Sequence, residues 1–220
     1  MNENLISETV TFVKKTLEDA EAGHDWWHIQ RVWNTTRLIL KTEKADPLVC
    51  ELGALLHDIA DHKFHGGDET KGAEITRSFL QKKNLDPQRV AAVTDLVLNI
   101  SFKGGITQKK EKSAELQVVQ DADRLDAIGA IGIARAFQYG GHKNRKLYDP
   151  DIPLRKYNSV QEYIKSDAPT INHFYEKLLL LKDLMNTETG KKLAEERHAF
   201  MLEFLERFFS EWGSGEEELL

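Results

Sequence analysis

The sequence predicts an all-α fold, and three features of the chain support that prediction. Apolar residues recur at steps of three and four along most of its length, as they do on one face of an amphipathic helix. Helix-capping residues stand directly before several of these apolar runs. There is no useful run of alternating apolar and polar residues, no internal repeat and no shift in composition. The 220 residues are therefore expected to form a single helical domain over 1–212, followed by a frayed tail at 213–220.

The first half of the chain predicts five helices. Asp25 can cap the second helix, and Pro47 suits the first turn of the third. The fourth is expected over 70–82, and the fifth from Asp86 towards Asn99. The apolar face of the first helix steps by four, three and four residues: Ile6, Val10, Val13 and Leu17.

The second half predicts further helices separated by two loops. Residues 103–112 read as a polar loop, and helical spacing resumes over 114–139. Residues 140–153 contain paired glycines, two prolines and a basic cluster, which predicts a long loop. Two late helices follow. The first is marked by Ile171, Phe174, Tyr175, Leu178, Leu181 and Met185, and the second by Ala194, Met201, Phe204, Leu205, Phe208 and Trp212.

Composition narrows the class of protein. Hydrophobic residues make up 40% and charged residues 30%, a globular balance that argues against disorder. The net charge of −6 argues against binding to duplex nucleic acid, which requires many phosphates to be neutralised. No apolar run is long enough for a membrane span, and the first residues do not resemble a secretory signal. The one cysteine, Cys50, cannot form an internal disulfide, and these features together predict a cytoplasmic location.

Three segments place histidines beside carboxylates, or carboxylates close together: GHDWWH, LLHDIADHKFH and QDADRLD. Imidazole nitrogen and carboxylate oxygen suit divalent manganese, iron, cobalt, nickel or zinc, with magnesium possible. Neither cysteine ligands nor an HExxH motif is present, which disfavours a structural zinc or a helical zinc-protease site. The adjacent His57 and Asp58 diverge by only ~100° around a helix, so both can bind one ion. Further ligands would have to come from other helices, as in many helical bundles.

These motifs resemble those of the HD-domain superfamily of metal-dependent phosphohydrolases. GHDWWHIQRV, LLHDIADHKF and DADRLDAIGAIGIARAF carry the resemblance, which extends over roughly residues 20–185. It implies an all-α bundle of the HD/phosphodiesterase-like type. Asp121 and Asp126 lie close to the last family ligand, but Asp123 is preferred because a basic and an apolar residue follow it. The resemblance implies that one divalent ion is bound by four residues: His28, His57, Asp58 and Asp123.

Catalytic and substrate-binding residues are predicted around that set. Asp61, one turn beyond Asp58, is the candidate general acid or base, with Glu74 second; a solvated surface charge is the alternative for each. Five basic side chains could bind a phosphate group. Arg31 and Lys63 follow the predicted metal ligands in the sequence, and the other three lie in the basic loop: Lys143, Arg145 and Lys146. Ion pairing with a neighbour is the alternative for Arg31, and simple exposure is the alternative for the loop cations.

The expected activity is hydrolysis of a nucleotide or related phosphate ester or anhydride by metal-activated water. Two alternatives remain open: a regulatory nucleotide-binding module without turnover, and a di-iron HD oxygenase. The tryptophans at 26, 27 and 33 are expected in the core, although one could line a base-stacking pocket.

Overall fold

The computed structural model describes residues 2–18, 25–60, 70–100, 112–155 and 167–213, and every regular element within those ranges is a helix. The predicted all-α class is therefore confirmed. The helices are α1 (Asn2–Thr16), α2 (Trp26–Ile39), α3 (Pro47–Leu56), α4 (Lys71–Lys82), α5 (Pro87–Asn99), α6 (Ala114–Asp126), α7 (Gly129–His142), α8 (Thr170–Glu176) and α9 (Glu188–Trp212), with a 3₁₀ helix at Leu178–Leu184.

Aspartate caps start three of these helices where the sequence predicts them. The side chain of Asp25 accepts a hydrogen bond from the backbone of His28, and Asp46 accepts from Leu48 and Val49. Asp86 caps α5 in the same way. These bonds satisfy backbone N–H groups that the first turn of a helix cannot pair internally.

Three helix boundaries differ from the sequence prediction. The helical run expected over 114–139 is divided between α6 and α7, because Gly129 has a φ of 75°, a conformation that favours glycine. The helix α7 then continues to His142, so the paired glycines at 140 and 141 lie inside it rather than in the loop. The first late helix is also shorter than expected, since α8 gives way to the 3₁₀ helix.

The described residues form two compact units. The first lies within Met1–Phe102 and Gln108–Asp123, and in it α3 packs against α1, α2 and α5. A Cβ atom on Gly53 would lie 2.7 Å from Leu96 Cδ1, so α3 and α5 approach closely only because this residue is glycine. The core of this unit includes Val13, Ile29, Leu48, Val49, Leu52, Leu55, Leu56, Ile59, Leu80, Val90, Val93 and Val97.

The described part of the second unit lies within Arg124–Leu220, and in it α9 packs against α7 and the 3₁₀ helix. Aromatic rings in mutual contact extend from its interior to its surface. Tyr148, Phe174 and Phe209 are buried, while Trp212 is 46% exposed. The other rings of the cluster are Phe137, Phe204 and Phe208. A single domain over 1–212 stays a prediction. Most of the expected polar loop, and the tail from 214 onward, lie outside the described residues. None of the described helices is both long and apolar enough to cross a membrane.

Candidate metal centre

The first histidine of the candidate centre is positioned by the capped start of α2. The carboxylate of Asp25 accepts the backbone N–H of His28 at 3.0 Å. His28 is only 3% exposed, and the next residue, Ile29, is fully buried in the core. The cap and the core packing together hold the imidazole of His28 inside the first unit.

The second histidine lies at the end of α3. His57 Nδ1 is 2.9 Å from the carbonyl oxygen of Ala54, one turn earlier. Because a carbonyl oxygen can only accept, Nδ1 carries the proton, and in the neutral ring the lone pair is on Nε2. Such a backbone contact is the usual way in which a metal-binding histidine is oriented by its second nitrogen.

The Nε2 atoms of the two histidines lie 3.2 Å apart. Two imidazole nitrogens at the usual ~2.0–2.1 Å from one ion, about 100° apart, would be separated by about 3.2 Å. The side chains of His28, His57 and Asp58 each offer a ligand atom, and these atoms all lie within 4.8 Å of one another. This donor set therefore fits a divalent cation in both spacing and chemistry.

Asp123 is the aspartate of α6 that lies beside the histidines. Its Oδ1 is 3.5 Å from His28 Nε2 and 3.7 Å from His57 Nε2. Asp121 is fully buried and lies about 200° away around the helix axis. Asp126 instead forms an ion pair with Arg135. The geometry thus favours Asp123 among the three nearby aspartates, as the family motif does.

The other predicted residues of the first unit are less closely defined. Asp61 and Lys63 lie outside the described residues. The carboxylate of Glu74 is 62% exposed and lies 3.4 Å from Lys71 Nζ. Arg31 is partly buried on α2, one turn after His28. The catalytic and phosphate-binding roles of all four stay predictions.

The three predicted loop cations belong to the second unit. Lys143 and Arg145 lie over the ring of Tyr139, at 5.6 and 5.5 Å from its centroid. Lys146 Nζ is 2.6 Å from the carboxylate of Asp149. The backbone N–H of Arg145 donates to Gly140, and that of Thr170 donates to Lys146. The loop is thus held to α7 and α8 by backbone bonds, while its contact with substrate stays a prediction.

Three observations on α2 and α3 go beyond the sequence prediction. The carbonyl of Ala54 is a positioning group, and the one signal for it is that His57 ends a helix and lies three residues later. The expectation that Trp27 lies in the core is wrong, because this side chain is 61% exposed. Cys50 is buried, and burial raises the pKa of its thiol to about 12, so it stays protonated at neutral pH.

Comparison with known proteins places this chain in a family. The HD domain model matches residues 26–128. This range contains all four predicted metal ligands and the helices that carry them. Because an HD-superfamily hydrolase that is 41% identical also matches 97% of the chain, the chain belongs to the HD-domain superfamily.

Individual relatives cover nearly the whole chain. The crystal structure of an HD-superfamily hydrolase from Bacillus thuringiensis is 41% identical, with a TM-score of 0.79, and covers 97% of this chain and 99% of that one. The protein YpgQ of Bacillus subtilis is 39% identical in an alignment of 200 residues, which covers 89% of this chain and 87% of YpgQ. A crystal structure of YpgQ in complex with ADP is 32% identical, with a TM-score of 0.73, and covers 94% and 97% of the two chains.

Proposed function

We propose that this chain is a metal-dependent phosphohydrolase acting on a nucleotide or a related phosphate ester or anhydride. The observation that carries the proposal is the 3.2 Å approach of His28 Nε2 to His57 Nε2, with carboxylates of Asp58 and Asp123 close by. Neutral imidazole nitrogens and carboxylate oxygens are electron-pair donors, and a cluster of them at this spacing can hold a divalent cation. The hydrolase from Bacillus thuringiensis supports the reaction class, and YpgQ with ADP supports a nucleotide.

The residues of the centre would divide the work between binding the ion and handling the substrate. His28, His57, Asp58 and Asp123 would hold the divalent ion, which when bound would acidify a water molecule and screen charge on the phosphate oxygens. The contact of His57 with Ala54 keeps the imidazole in the tautomer that presents Nε2. Arg31 would hold a phosphate oxygen from the helix that carries His28. Asp61, or Glu74 in its place, would accept a proton from the attacking water.

Metal binding is tested first, by measuring the metal content of purified protein. The variants His57→Ala and Asp58→Ala should lose the ion, because each removes one ligand. The control His142→Ala removes an exposed histidine at the end of α7 and should keep it. Unchanged metal content in His57→Ala and Asp58→Ala would contradict the proposed ligand set.

Activity is tested by screening nucleotides and generic phosphate esters with manganese, magnesium, iron, cobalt, nickel and zinc in turn. At least one combination should give turnover that a chelator abolishes and added metal restores. A protein that binds one ion tightly but hydrolyses nothing with any of these metals would contradict the hydrolase proposal. That outcome would instead support a regulatory module.

A further inference from the structure

Trp27 is the most exposed large hydrophobic side chain among the described residues, at 61%. Two residues later on the same helix, Ile29 is fully buried. A tryptophan offers a large apolar surface, so leaving most of it in water sacrifices stabilisation that burial would provide. The exposed indole of Trp27 is therefore available to a ligand.

The surroundings of Trp27 suit one flat ligand better than a protein surface. The residues that share its face of α2 at steps of four and seven are Arg31 and Asn34. The next exposed apolar side chain on this helix, Leu38, is eleven positions away, about 16 Å along the axis. Within α2, Trp27 therefore has no neighbouring exposed apolar side chain of the kind that would extend it into a typical protein docking site.

Trp27 directly precedes His28, a candidate metal ligand, on α2. Each residue turns the helix by about 100°, which places His28 about 100° and Arg31 about 40° from Trp27 around the axis. The order around α2 is therefore metal ligand, guanidinium, indole. At the outer radius of a helix, 100° corresponds to about 8 Å, a separation comparable with the length of a single nucleotide.

We propose that the exposed indole of Trp27 stacks on the base of a nucleotide whose phosphates lie at the candidate metal centre. The inference rests on the proposed function, since it takes the phosphate position from that site. Stacking on an aromatic ring tolerates every base, because each base has a π face. Trp27 thus adds affinity for nucleotides over phosphate compounds that lack a base, without selecting one base strongly.

The test compares two non-hydrolysable probes that differ by the nucleoside: α,β-methylene-ADP and methylenediphosphonate. Binding to the full chain in the presence of Mn²⁺ is measured by calorimetry. Trp27→Ala should weaken binding of the nucleotide probe by about 5- to 150-fold and leave methylenediphosphonate binding unchanged. Trp27→Phe should retain most of the affinity, and Leu38→Ala, which removes another exposed apolar side chain from α2, should behave as wild type.

Fluorescence gives a second measurement that does not depend on the alanine variant folding. The nucleotide probe should quench part of the tryptophan emission of wild type, and this quenching should be lost in Trp27→Phe. Equal loss of affinity for both probes in Trp27→Ala, or no loss for either, would overturn the inference. So would a change in oligomeric state in Trp27→Ala, which would assign the indole to a second copy of the chain. If wild type bound neither probe, the proposed function itself would fail.

Discussion

In the first unit the buried His28 presents a nitrogen to another nitrogen, whereas in the second unit the partly buried Arg197 presents its guanidinium to a carbonyl oxygen. His28 and His57 face each other with Asp123 beside them, so three side chains that can bind a metal ion come together. Arg197 donates a hydrogen bond to the carbonyl oxygen of Leu125, and Arg135 donates one to the carboxylate of Asp126, so each hydrogen-bond donor has an acceptor. The first arrangement suits a cation, whereas the second pairs hydrogen-bond donors with acceptors.

This difference separates polar groups that serve chemistry from those that serve stability. A satisfied donor–acceptor pair rigidifies the structure, and breaking it leaves an unpaired group that costs free energy. A cluster of metal-binding side chains contributes little to the stability of the fold until an ion binds, and the binding free energy then stabilises the folded state. Paired aspartates on α6 allow the two roles to be tested directly, because Asp123 and Asp126 are three residues apart on one helix.

The largest effect on activity is expected from Asp123→Asn. This substitution removes a charged ligand, so metal affinity and phosphohydrolase activity should fall by at least about 100-fold. The thermal unfolding temperature measured with a chelator present should be unchanged or higher than that of wild type, because Asp123 serves the ion and does not stabilise the fold. Full metal content in this variant would remove Asp123 from the ligand set.

The largest effect on stability is expected from Asp126→Asn. The side chain of Asp126 is 5% exposed and pairs with Arg135, so its neutralisation leaves a partly buried guanidinium without its counter-charge. The free energy of unfolding in denaturant should fall by about 3 kcal/mol, while the metal content of the folded protein stays as in wild type. Loss of metal with unchanged stability would show that Asp126 serves the metal centre and not the fold.

Acid should destabilise the protein through His173 of the second unit. Burial, together with the charges of Lys177 and Arg145, lowers the pKa of His173 from 6.5 to about 3. The folded state therefore keeps this histidine neutral, while the unfolded chain binds a proton below pH 6.5. Its contribution to stability is complete above pH 6.5 and is lost as the pH falls towards 3, by at most about 1.4 kcal/mol per pH unit.

The substitution His173→Gln removes this proton uptake. Its unfolding free energy, measured between pH 7 and pH 4 with a chelator present, should decline less steeply than that of wild type. Parallel curves for the two proteins would show that His173 takes up no proton on unfolding in this pH range.

The smallest effect is expected from Asp25→Ala. Loss of the cap should cost about 1 kcal/mol of stability, and metal affinity should fall several-fold because the capped backbone N–H belongs to His28. Asp25→Asn can still accept that bond and should restore both properties. The matched control Asp86→Ala removes the cap of α5 and should lower stability alone. Equal metal affinity in Asp25→Ala and Asp86→Ala would show that the α2 cap does not position His28.

Local sequence signals predicted the helix starts but not every helix end. Asp25, Asp46 and Asp86 act within one turn of chain, so their effect can be read without knowledge of the fold. The division between α6 and α7 escaped prediction, because a glycine within a helical pattern does not reveal the positive φ of Gly129. The apolar spacing of 171–185 likewise suits both an α-helix and the observed α8 with its 3₁₀ extension.

The family motif made it possible to predict the candidate ligands from the sequence, but their geometry could not be predicted. Residue types and order alone left Asp121, Asp123 and Asp126 as alternatives. Their surroundings separate them, since one lies beside the histidines, one is fully buried and one pairs with Arg135. Trp27 was expected in the core because tryptophan is highly buried on average, and only the three-dimensional structure reveals its exposure.

The sequence by itself determined the helical class, the capped helix starts and the residue types of the candidate centre, because periodicity and capping depend on neighbours within a few positions. Only the tertiary structure decided which side chains meet. His28 and His57 are 29 positions apart, and their nitrogens come together because α2 packs on α3 in one register. Contacts of that range depend on the whole packed core, and no local pattern of residues encodes them.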